Sequence, residues 1–157
     1  MTASIRRIRL RLSFQLSRAT LVAATTLLAV AAACASLGRS SAGLESRDWR
    51  LVELRGQPAA PSTGMRPAHL RFAADSMRVG GSGGCNRIAG TYAHSGDRLA
   101  FGPIISTRMA CADTRLNRQE TDFLAALQAT NRYEITGDTL VLARDGEHLA
   151  RLLGTSR

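Results

Sequence analysis

At 157 residues, with 21 basic against 12 acidic side chains, the chain carries a formal charge of +9. That charge is unevenly placed: Arg6, Arg7, Arg9, Arg11 and Arg18 precede residue 34 and every acidic residue follows it, so the remainder carries only +4. Its arginines are scattered, lysine is absent and aromatics make up 4 % of the chain, which excludes the dense basic stripe with interleaved aromatics that nucleic-acid binding needs.

The arginine-rich start runs into the apolar stretch 19–33, and small residues lead up to Cys34. This is the layout of a secretory signal peptide, expected over residues 1–33. The ending Ala31-Ala32-Ala33-Cys34 resembles a bacterial lipobox, in which the cysteine is lipidated and becomes the new N-terminus. Ordinary signal-peptidase cleavage after Ala33 or Ala35 is the alternative and would leave a secreted or periplasmic protein. An uncleaved anchor fits less well, because a spanning helix needs ~20 apolar residues. The expected location is therefore the cell envelope, with the membrane as partner through lipidated Cys34. In a Gram-negative host, Ala35 in place of aspartate points to the outer membrane.

Residues 35–47 are small and polar, and with Cys34 they read as a flexible tether over 34–47. Alternation over 49–54 predicts a first strand. The loop 55–67 is marked by Gly56, Pro58, Pro61, Gly64 and Pro67. Strands are predicted over 69–73 and 76–79. Gly80, Gly81, Gly83 and Gly84 then call for unusual backbone angles or the close approach of another segment. Strand patterns resume over 87–94 and 98–101, and 104–110 leads into Cys111. Asp113 or Thr114 can cap a helix over 113–128 that places Leu116, Phe123, Leu124 and Leu127 on one face. Turn signals at Gly137-Asp138 and Asp145-Gly146 separate three final strands, over 132–135, 139–143 and 148–153.

Three cysteines are present. With Cys34 lipidated, Cys85 and Cys111 remain as a pair in an oxidising compartment. Zinc would require two more ligands, and His69, His94 and His148 are too widely spaced to supply a metal-binding pattern. A redox pair would normally be Cys-x-x-Cys. A structural disulfide is therefore the expectation, with no metal and no cofactor. The glycine run is not followed by the Lys-Ser/Thr of a nucleotide-binding loop, Ser82 does not sit in a Gly-x-Ser-x-Gly elbow, and no catalytic residues are assigned. Asn86 can take over backbone hydrogen bonds in a tight turn. Ser106, Thr107 and Arg108 precede Cys111, and with Asn86 they form the candidate binding surface.

Trp49-x-Leu51, Phe72, Gly84-Cys85-Asn86, Gly90-x-Tyr92, Ser106-Thr107-x-Met109-Ala110-Cys111, then Glu120, Phe123, Leu127, Tyr133 and the Gly-Asp-x-Leu turn at 137–140 occur in this order. Together they resemble the META domain, the family of the HslJ-like heat-shock proteins, over about residues 48–153. The resemblance implies a single small α+β domain over 48–155, an antiparallel sheet of about seven or eight short strands with one main helix packed on it. It also implies pairing of Cys85 with Cys111, frequent export or lipid anchoring, and links to heat or antibiotic tolerance, with no agreed catalytic activity. The expected function is a non-catalytic binding or scaffolding module of the envelope. The alternatives are a small-molecule binder and an inhibitor of an envelope enzyme.

Overall fold

The computed structural model describes residues 43–62, 66–109 and 111–156. The expected signal peptide, the lipobox and Cys34 lie outside the described residues. The described residues form one compact unit.

Period-two alternation sets the strands. β1 (Arg47–Leu54) turns Trp49 and Leu51 inward, an irregularity between Leu51 and Glu53 brings Leu54 to the same face, and β3 (His69–Ala73) turns Leu70 and Phe72 inward. β4 (Arg78–Ser82), β5 (Arg87–Ser95) and β6 (Arg98–Phe101) follow as antiparallel neighbours. The helix α1 (Thr114–Ala129) precedes β8 (Arg132–Thr136), β9 (Thr139–Arg144) and β10 (Glu147–Ser156). Two short strands lie off the main path: β2 (Gln57–Pro58) pairs with the end of β1, and β7 (Ile105–Ser106) pairs with β5.

The sheet closes. β1 pairs with β3 on one side and with β10 on the other, so Trp49 stands opposite both Leu70 and Gly154. The circuit β1-β3-β4-β5-β6-β8-β9-β10 returns to β1. This corrects the expected α+β layout of an open sheet with a helix on its face: the domain is an eight-stranded antiparallel barrel, mostly β, with one helix. The difference is physical. An inward-facing row reads the same in an open sheet and in a barrel, and an eight-stranded barrel is just wide enough for side chains to fill. Trp49, Phe72, Leu70, Leu99, Leu140, Leu142 and Leu152 fill this one, each fully or almost fully buried.

The helix belongs to the barrel's end. α1 touches β6 on one side of the barrel and β1, β9 and β10 on the other, and Phe123, Ala126 and Leu127 join the barrel core. Asp113 caps it, its carboxylate accepting from the Arg115 amide at 2.9 Å.

The other end is closed by residues 43–46, which fall within the segment expected to be tether. Leu44 is 0 % exposed, and its carbonyl accepts from Trp49 Nε1 at 2.7 Å. Glu45 Oε1 accepts from the Tyr92 hydroxyl at 2.8 Å and lies 3.2 Å from His94 Nε2. The packed domain therefore starts ahead of the boundary expected at residue 48.

Burial, reinforced by the Glu45 carboxylate, pushes the Tyr92 phenol above its usual range. A raised pKa keeps the proton on Tyr92 in the folded state while the unfolded chain ionises near pH 10. The contribution of Tyr92 to stability is thus fully present below about pH 10 and is lost as pH rises above it. Tyr92→Phe is expected to flatten that alkaline decline, measured as urea midpoints across the range.

A disulfide-braced clasp at the helix end of the barrel

The glycine run is explained by close approach. A Cβ on Gly81 would run into the His69 carbonyl, and one on Gly83 would collide with the Glu120 side chain. With Gly83 lacking a Cβ, the first turns of α1 bring Glu120 against the backbone that follows the glycines.

There Glu120 is 7 % exposed and its carboxylate is fully engaged. Its Oε2 accepts from the Asn86 amide at 2.6 Å and the Cys85 amide at 3.3 Å. Its Oε1 accepts from Asn86 Nδ2 at 2.8 Å and from the Ser106 hydroxyl at 3.0 Å. A buried carboxylate is tolerated when its lone pairs are met in this way.

Asn86, 4 % exposed, is the hub. Its Oδ1 accepts from the Met109 amide at 2.6 Å and from the Thr107 hydroxyl at 2.9 Å. Its Nδ2 donates to the Met109 carbonyl at 3.0 Å as well as to Glu120. Two acceptor positions and two donors exhaust an amide side chain. Nearby, the Cys85–Cys111 disulfide joins the two segments with Cα atoms 5.9 Å apart. Asn117 secures the cysteine from the helix side, its Nδ2 donating to the Cys111 carbonyl at 2.9 Å.

The structure thus brings Cys85, Cys111, Asn86, Ser106 and Thr107 into one cluster, and their polar groups point at one another. Arg108 stands apart, exposed, with a left-handed φ of 54°. Sequence reasoning missed two partners in this region: the Met109 backbone, which has no side-chain signature, and Gln119, whose Oε1 accepts from the Ala60 amide at 2.5 Å. Gln119 carried a signal after all, since it stands between Leu116 and Phe123 at helical spacing on the buried face. Glu45 was hidden in a stretch of tether-like composition.

Replacing both Cys85 and Cys111 with alanine opens a loop closed over a sequence separation of 26 and is expected to lower stability by about 3–4 kcal/mol on the chain-entropy account. Urea unfolding of the variant beside the oxidised parent measures this. Reduction of the parent should reproduce most of the loss.

A closed antiparallel barrel with one helix across its end, and a disulfide clasping the helix to a glycine loop, defines the class of domain. The META domain family matches residues 42–155; the chain belongs to that family. Among solved structures, one determined by NMR is 26 % identical, covers 73 % of this chain and 94 % of its own, and superposes with a TM-score of 0.59. A second NMR structure, of a protein from Burkholderia xenovorans, is 25 % identical over 73 % of this chain and 85 % of its own, also with a TM-score of 0.59. A DUF4847-family protein from Bacteroides vulgatus, 18 % identical over 73 % of this chain and 96 % of its own, shares the fold with a TM-score of 0.51. No curated protein matches.

Proposed function

We propose that this META-domain protein is an exported, lipid-anchored module of the cell envelope that works by binding or scaffolding, in envelope integrity or in tolerance of heat or antibiotics. The observation that carries this reading is the Cys85–Cys111 disulfide. It accounts for two of three cysteines and leaves Cys34, at the end of an apolar run behind a basic leader, as the odd one. Disulfides persist in oxidising compartments, and that setting is the one a lipobox cysteine would enter.

The clasp supports the non-catalytic part. Asn86, Ser106, Thr107 and Glu120 hold one another, so the chemistry they carry is consumed in bracing a loop. The barrel interior, where a small ligand would sit, is taken by Trp49, Phe72 and Phe123.

Intact masses of the membrane-fraction protein, with and without reduction and alkylation, test the reading. A mass beginning at Cys34 with added acyl chains, and two further cysteines alkylated only after reduction, is the expected result. A mass beginning elsewhere without acyl groups would overturn the anchor, and free thiols at Cys85 and Cys111 would remove the argument from compartment.

A further inference from the structure

We propose that the segment carrying β7, residues 105–109, together with Arg87, is a docking surface for an anionic phospholipid bilayer. This rests on the anchored reading above and adds to it how the domain itself meets the membrane.

Two of the three large apolar side chains exposed among the described residues belong to this one segment: Ile105 is 71 % exposed and Met109 is 59 % exposed. They are not loosely held. The Thr107 amide donates to the Arg87 carbonyl at 3.2 Å, Asn86 bonds both the amide and the carbonyl of Met109, and the disulfide follows two residues on. The backbone is fixed while the apolar side chains remain in water, a combination that presents apolar surface to another phase at little further cost in chain entropy.

The charge around them selects the phase. Ala89 stands opposite Ile105 in the β5–β7 ladder, so Arg87, two residues before Ala89, shares that outward face and lies diagonal to Ile105. Arg108 sits between the two apolar side chains in sequence. Both arginines are exposed. Neither is in any ion pair among the described residues; Arg50, Arg66, Arg78, Arg98 and Arg118 are likewise exposed and unpaired, and what sets Arg87 and Arg108 apart is their place beside Ile105 and Met109. Apolar side chains flanked by unpaired cations complement a surface of acyl chains beneath anionic headgroups. Preference for a lipid surface over a protein cleft comes from the anchor. Eight residues separate Cys34 from Gly43, a reach of ~28 Å. That compares with ~30 Å for the length of β5, so the barrel can lie along the bilayer. The tether also holds the surface near lipid at high effective concentration.

The test uses the full acylated protein reconstituted in vesicles whose acyl chains are brominated, with a tryptophan placed by Ile105→Trp. A control carries Thr155→Trp on β10, across the barrel from β5. Trp49 is fully buried and gives a constant background. In phosphatidylethanolamine–phosphatidylglycerol vesicles the reporter at 105 is expected to be quenched and blue-shifted, and the one at 155 to be neither. Arg87→Ala and Arg108→Ala should each lower the docked-to-undocked ratio about fivefold, and neutral phosphatidylcholine vesicles should weaken quenching further. Equal quenching at both positions, no quenching at 105, or no dependence on lipid charge would overturn the proposal. If the masses show no acyl group, the same vesicles are added to the free protein: quenching confined to 105 keeps the docking surface and discards the anchor, and its absence discards both. A reporter that stays unquenched, while Ile105→Asp abolishes crosslinking to an envelope protein, assigns the surface to a protein partner and overturns lipid docking.

Discussion

Replacing Glu120 with alanine is expected to destabilise the domain by about 3–5 kcal/mol, because several buried donors lose their acceptor at once and each costs about 1–3 kcal/mol when left unsatisfied. A domain of this kind has a total stability of ~5–15 kcal/mol, so the variant should be unfolded or close to it at modest urea concentrations. The reason is that four donors converge on one carboxylate: the amides of Cys85 and Asn86, the Asn86 side chain and the Ser106 hydroxyl. Truncation leaves them in a buried site without acceptors. Glu120→Gln is the informative companion. Each carboxylate oxygen accepts two bonds, so an amide turned either way sets an NH₂ group against two donors. Glutamine should therefore recover only a minor part of the loss, although its volume is almost unchanged. Urea unfolding of both variants measures this; near-parental stability of Glu120→Gln would show that the network is relaxed enough to do without one oxygen. Asn86→Ala should be strongly non-additive with Glu120→Ala, because the two residues share a bond and a common loop.

The clasp also shows why part of the molecule was legible in the sequence and part was not. Local patterns carried well. The strand at His69–Ala73 and that at Arg98–Phe101 have the bounds that alternation suggests. The helix spans Thr114–Ala129 behind the Asp113 cap, with Leu116, Phe123 and Leu127 buried as their spacing requires. The glycine run signalled close approach, and Gly81 and Gly83 meet it. What failed was non-local. Nothing within 47–54 or 147–156 marks those segments as partners, yet their pairing turns an open sheet into a barrel. Helical periodicity counts apolar residues, so it passed over Gln119 and gave no sign that Glu120 is buried. Leu124, on the expected apolar stripe, is only partly buried, and Ala126 takes a core position instead.

The N-terminal boundary failed for a related reason. Ser41-Ala42-Gly43-Leu44-Glu45-Ser46 has the composition of a linker, and only Leu44 hints otherwise. A lone leucine has no periodicity to read. Its meaning comes from Trp49, Tyr92 and His94, which the fold gathers at the end of the barrel opposite α1.

That dependence gives the second large effect. Trp49→Ala is expected to cost about 3–5 kcal/mol, as for large aromatic truncations in cores, since the indole is fully buried between β3 and β10. The loss has two components that Trp49→Phe separates. Phenylalanine keeps most of the apolar contact but cannot donate to the Leu44 carbonyl, which Trp49 Nε1 meets at 2.7 Å. An unsatisfied buried carbonyl costs about 1–3 kcal/mol, and the cheapest relief is local: residues 43–46 lift off and the carbonyl finds water. Trp49→Phe should then show raised amide hydrogen exchange in 43–46, with the ladder between β1 and β3 protected nearly as in the parent. Trp49→Ala should lower protection throughout the barrel, because the cavity lies in the core that all eight strands share. Leu44→Ala should resemble Trp49→Phe in its exchange pattern, since it too loosens the strap from its seat. Uniform loss of protection in all three variants would instead mean that the strap and the barrel open as one unit. In that event any pull applied to the chain ahead of residue 43 would load the barrel directly. With a strap that opens by itself, such a pull would be absorbed first by the seat of Leu44, and the barrel would stay closed.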